Sequence, residues 1–192
     1  METEKCRAHT VLREDYRTLL RLDAEIEIPK EKTIVRDFYE KMLRAAVRWV
    51  EEREGEETRK AYAACETIRE KSRFQTRSFG LEGSLFELGE RDCAVVCRAT
   101  WIRDGERQTR CSVQFWDLSE QTILPIKQVL RRRFGHARMP KLGYRADGCY
   151  PQNDDLVFFR NPHGKESYRE TIYHFEKNLT NRRKRLEKDE KI

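Results

Sequence analysis

Two runs in which apolar and polar residues alternate, Asp92–Trp101 and Thr109–Trp116, flank the dipeptide Asp104-Gly105. No other feature constrains the chain as tightly, because a turn-forming pair between two such runs specifies an antiparallel hairpin. The first run sets Cys93, Val95, Cys97, Ala99 and Trp101 on one face, and the second sets Cys111, Val113 and Phe115 on one face. Directly opposed residues of a hairpin share a face. With both apolar sets turned to one core, an odd number of residues must join the strands. That predicts an Arg103-Asp104-Gly105 loop, with Gly105 left-handed in a bulge, Cys97 opposite Cys111 and Val95 opposite Val113.

The rest of the chain supplies the surroundings of that hairpin. Residues 19–28 alternate, with Leu20, Leu22, Ala24, Ile26 and Ile28 on one side and Arg21, Asp23, Glu25 and Glu27 on the other, which is a half-buried strand ended by Pro29. The period then changes. Ile34, Phe38, Met42, Ala45 and Trp49, flanked by Val35, Ala46 and Val50, predict an amphipathic helix over 31–53, with Phe38, Met42 and Trp49 as the stripe on the sheet. Gly55 reads as a break before a second helix over Glu57–Lys71, built on Ala61, Cys65 and Ile68. Pro125 opens a short helix, Ile126–Phe134. Turn residues at Asp147-Gly148 and Asn153-Asp154-Asp155 frame a strand at Leu156–Phe159. Tyr168, Ile172, Phe175 and Leu179 fit a helix, but Thr171–Phe175 also reads as a strand, and a strand leading into a charged helical tail is expected. The class is α+β: one domain over 1–179, with an antiparallel twisted sheet and central hairpin packed on one long and one or two shorter helices. Residues 180–192 form a charged tail outside the core.

A chain of 192 residues fits one domain. Forty basic and 34 acidic residues give a net charge of +6, but the signs alternate almost everywhere, so the charge describes a mixed solvated surface. The first residues carry no apolar core of a secretory signal, and no apolar run approaches the length of a membrane span. The six cysteines contain no C-x-x-C pair and are expected as reduced, small buried hydrophobes of a cytoplasmic protein.

Chemistry-bearing motifs are sparse. Glu170 stands four residues before His174, but without a second histidine the pair is not a zinc motif. The acidic stretch Asp147–Asp155 departs from the calcium-loop order, and no phosphate-cradling glycine loop occurs. Catalytic, cofactor and metal residues are therefore not assigned. Two basic runs are candidate polyanion contacts: Arg131, Arg132 and Arg133 with Arg138 and Lys141, and Arg182, Arg183, Lys184 and Arg185. Each also fits a solvated helix end, where positive charge complements the dipole.

The order of elements carries one resemblance. A strand precedes a long helix bearing Phe38-Tyr39 and Trp49. The hairpin follows, then Trp116-Asp117-Leu118, Ile123-Leu124-Pro125-Ile126, and Asp155-Leu156-Val157-Phe158-Phe159 before Asn161-Pro162. Over roughly 15–175 this resembles the RsiV-like domain of unknown function 3298 (DUF3298), although Glu120-Gln121 stands where that family has Thr-Gly. The resemblance implies an α+β binding module. Some members are extracytoplasmic sensor domains of membrane-anchored anti-sigma factors and others are free-standing, and no catalytic residue comes with the family. The expected function is a binding or sensory and regulatory module for a protein or small ligand. The alternative is nucleic-acid association through the basic runs. An enzyme ranks third, since no acid–base or nucleophile pair is visible.

Overall fold

A computed structural model describes residues 1–134, 145–153, 155–163 and 166–174 of the chain. Six strands form one sheet in the order β1 (Thr3–Glu14), β2 (Arg17–Pro29), β3 (Arg77–Glu87), β4 (Asp92–Arg103), β5 (Glu106–Asp117) and β6 (Thr122–Leu124). A second sheet holds β7 (Gly148–Gln152), β8 (Asp155–Arg160) and β9 (Arg169–His174). Between β2 and β3 the chain crosses through α1 (Thr33–Trp49), a π turn (Val50–Glu54), α2 (Gly55–Ala63) and α3 (Ile68–Arg73). That long connection returns the chain to the end of the sheet where β2 began. The β2–β3 pair is therefore parallel, while the other pairs are antiparallel. The α+β class read from the sequence is present, with a mixed main sheet.

The register divides the main sheet into two faces that are covered at different places. On one face Leu20, Leu22, Ala24, Ile26 and Ile28 of β2 join Cys93, Val95 and Cys97 of β4, and Val35, Tyr39, Leu43 and Val50 from the helical segment pack on them. On the other face Val96 and Cys111 meet Tyr150, Val157 and Phe159 of the second sheet. Beside them Ala94, Phe115 and Leu124 meet Val129 of α4 (Ile126–Phe134). The helical segment covers one face from β1 and β2 across to β4 and Trp116 of β5, and the second sheet covers the β4–β5 half of the other.

This offset overturns the expected hairpin register. Arg103 pairs with Glu106, so the connection is the two-residue turn Asp104-Gly105, with φ of +52° and +84°. Both residues are left-handed, as a tight hairpin turn requires. Cys97 faces Ser112, Cys111 faces Arg98 and Val113 faces Val96. The parity argument assumed one apolar face, whereas Ala94 and Val96 are as fully buried as Cys93 and Val95. The odd-numbered residues of β4 face the helix, while those of β5 face the second sheet. Arg77, the first residue of β3, holds the turn by reaching both carboxylate oxygens of Asp104 at 3.1 Å.

The helix also differs from expectation. Its buried stripe is Val35, Tyr39, Leu43 and Val50, one position on from the expected set; Phe38 and Met42 flank it half-buried, and Ile34 and Trp49 are 54% and 42% exposed. Tyr39 belongs inside because its hydroxyl accepts a hydrogen bond from Trp116 Nε1 at 3.2 Å. Gly55 does not break the helix: its φ and ψ of −62° and −43° are helical, and it follows directly on the π turn. The break falls after Ala63, where Thr67 caps α3 in a capping box with Glu70. The strand at Thr171–His174 is present within β9, and the helical tail lies outside the described residues. All six cysteines are thiols, and burial pushes Cys93, Cys97 and Cys149 up to about 12, so they are protonated core residues.

Candidate functional site

β1 is the outermost strand of the main sheet, and among the described residues no strand pairs with its far side. Its pattern is a weak alternation, Cys6, Ala8 and Leu12 packing toward the helix and Lys5, Arg7 and His9 turned to the opposite face. Residues of β1 and of helix α1 line the two sides of a groove. It forms a cleft of about 830 Å³, with Cys6, Ala8, Leu43 and Val47 among its apolar lining and Arg36, Glu40, Arg44 and Arg48 among its charged lining. Glu51 and Glu52 of the π turn also line it, and Thr10 of β1 donates to Glu51 at 2.7 Å. Single π turns inside α-helices are often found at functional sites. Arg36 is tied to Glu4, with its Nε at 2.9 Å, and Arg44 lies 3.7 Å from Glu40. Among the described residues no carboxylate comes within ion-pair distance of Arg48.

The other face of β1 is a row of basic side chains matched by β2. Lys5 and Arg7 both donate to Glu25, at 2.5 and 2.7 Å, and His9 lies 2.7 Å from Asp23. The hydrogen bonds from Lys5 and then Arg7 hold the Glu25 carboxyl below its ordinary range. Two cations thus share one carboxylate, and all three basic side chains remain about half exposed or more.

A second polar cluster joins the two sheets. Arg98 of β4 donates to the Tyr150 hydroxyl at 2.5 Å and to Glu170 of β9 at 2.9 Å, and Glu170 also accepts from the hydroxyls of Tyr150 and Tyr168. Burial acts to raise the Glu170 carboxyl, but the hydrogen bonds from Tyr168 and Arg98 outweigh it and hold the group below 4.5. Burial pushes Tyr150 up to about 12 and raises the Cys111 thiol as well. Asn161 clamps the Cys111 backbone, accepting from its N–H at 2.7 Å and donating to its carbonyl at 3.0 Å. The thiol is protonated, the carboxylate has three donors and the guanidinium is engaged, so the cluster works as a joint between sheets. Because Glu170 titrates lower when folded than when unfolded, its contribution is full above 4.5 and is lost as pH falls through the folded value. Urea unfolding from roughly pH 5 to pH 3 should therefore show wild type losing more stability than Glu170→Gln; parallel curves would refute this role.

The residues singled out in the sequence do not gather at one site. Arg131 and Arg132 lie in the last turn of α4, as does the backbone of Arg133. Arg132 is engaged within the chain: its Nη1 lies 2.7 Å from Asp92 and 3.2 Å from Asp117. Asp117 in turn accepts from the N–H groups of Ser119 and Glu120, which gives the Trp116-Asp117 step a structural role. Arg138, Lys141, Arg182, Arg183, Lys184 and Arg185 lie outside the described residues. Glu170 and His174 sit four positions apart on an extended strand, roughly 13 Å, and His174 contacts Asp155 instead, at 2.8 Å. Among the described residues no three His, Cys, Asp or Glu side chains are placed to hold a metal. No described helix is long and apolar enough to cross a membrane. The β1 rim was missed from sequence because Cys6, Ala8 and Thr10 are a faint apolar set, although the alternation through Leu12 was there to be read.

No protein-family model and no curated protein matches this sequence. Solved structures do. A DUF3298 family member from Bacteroides fragilis NCTC 9343 superposes with a TM-score of 0.56 over 91% of this chain and 90% of its own, at 9% identity. A DUF3298 family protein from Pseudomonas aeruginosa PAO1 gives a TM-score of 0.42 at 9% identity, over 66% of this chain; the chain spans 56% of that protein's length. The chain therefore has a DUF3298-like fold, as the order of its elements suggested.

Proposed function

We propose that this chain is a binding module that receives an extended segment of a partner protein along β1. One observation carries the reading: a twelve-residue edge strand lies beside an open cleft under α1. Strand addition at such an edge draws affinity from backbone hydrogen bonds and specificity from pockets for alternate side chains. The titratable groups that the fold brings together between the sheets hold one another, which favours recognition over catalysis. A random-peptide library selected against the whole protein tests the reading. Selected peptides should protect the Thr3–Glu14 amides from hydrogen exchange. An absence of binders, or binders protecting only other surfaces, would contradict it.

A further inference from the structure

We infer that the segment taken up by β1 alternates acidic and apolar side chains, an inference that rests on the edge-strand reading. The chemistry is set by the two faces of β1. A strand added beside it places every second side chain next to Lys5, Arg7 and His9, and the others over Cys6 and Ala8, toward Leu43 and Val47. β2 already shows what this edge accepts. Opposite the same residues it carries Glu27, Glu25 and Asp23 on the outer face and Ile28, Ile26, Ala24 and Leu22 on the inner. On the outer face Lys5, Arg7 and His9 stand next to the open edge while Glu27, Glu25 and Asp23 lie one strand further in, so an added strand meets the basic side chains first. On the inner face the cleft carries Glu40, Glu51 and Glu52 beside Arg44 and Arg48, so that side contributes apolar contact and no net preference for acid. A second copy of this chain fits less well, because antiparallel self-pairing centred on Arg7 sets Arg7 against its own copy and Lys5 against His9, and like charges directly opposed destabilise a strand pair.

Two capped synthetic peptides test this, one repeating Glu-Val and one repeating Lys-Val, titrated against the whole protein by calorimetry with exchange protection of β1 as a second readout. The Glu-Val peptide should bind at least about tenfold more tightly, a difference of about 1.4 kcal/mol, and should weaken as salt rises. Lys5→Gln with Arg7→Gln should remove most of that preference while the protein keeps its folded circular dichroism spectrum; Arg48→Gln, on the other face, should leave the preference in place, and its loss there would overturn the assignment of the acidic side chains to the outer face. Equal affinity for the two peptides with β1 protected would overturn the acidic preference and leave the edge-strand reading standing. Failure of any extended peptide to protect β1 would overturn both. Concentration-dependent self-association through β1 would replace the foreign segment with a second copy and overturn the inference.

Discussion

Val96→Asp should cost more than about 4 kcal/mol or prevent folding, whereas Ser112→Asp on the neighbouring strand should change stability by no more than about 0.5 kcal/mol. Val96 is 0% exposed and sits between the sheets against Cys111, Tyr150, Val157 and Phe159. A carboxylate there would be buried without a partner, which is among the most destabilising changes a point mutation makes. Ser112 lies on β5 where neither helix nor second sheet covers it. The pair distinguishes the observed register from a hairpin with one apolar face, in which Val96 would face water and tolerate the change. Urea denaturation of both variants reads the difference directly.

Gly83→Ala should cost about 1–3 kcal/mol, a large effect for one added methyl group, because overpacking a tight contact forces neighbours off their rotamers. Gly83 stands between β2 and β4, opposite Ile26 on one side and Cys97 on the other. A Cβ there would lie 2.5 Å from Ile26 Cγ2, 2.9 Å from its Cβ and 3.0 Å from its Cα. Ile26 is fully buried and cannot swing away. Ile26→Ala alone should cost about 2–5 kcal/mol by cavity formation. The double variant should be less damaged than the two losses added together, since removing Cγ2 relieves the closest clash. Strict additivity would show that the glycine is not held by this contact.

What could be read from the sequence follows how each element is buried. β2 was legible because only one of its faces is covered, so Leu20 to Ile28 alternate with charged neighbours. β4 was misread for the opposite reason: Ala94 and Val96 looked like the outward half of an alternating strand and are the inner face of a second core. Helix α1 offers two adjacent apolar stripes, and the choice between them depends on a hydrogen bond from Trp116 to Tyr39, 77 residues away. The ties of Arg132 to Asp92 and of Arg98 to Glu170 span 40 and 72 residues, so a basic run and an isolated glutamate gave no sign of their partners. The proposed site was the least legible part. An edge is defined by a strand that is missing beside it, which is a property of sheet order and leaves no local pattern.

The most direct measurement is hydrogen exchange of the free protein, followed amide by amide along β1. If the outer edge is open, amides bonded to β2 should be protected while the intervening ones, pointing away from the sheet, exchange much faster. Slow exchange at every residue along the strand would show that the edge is already covered, and would contradict its assignment as the recognition surface.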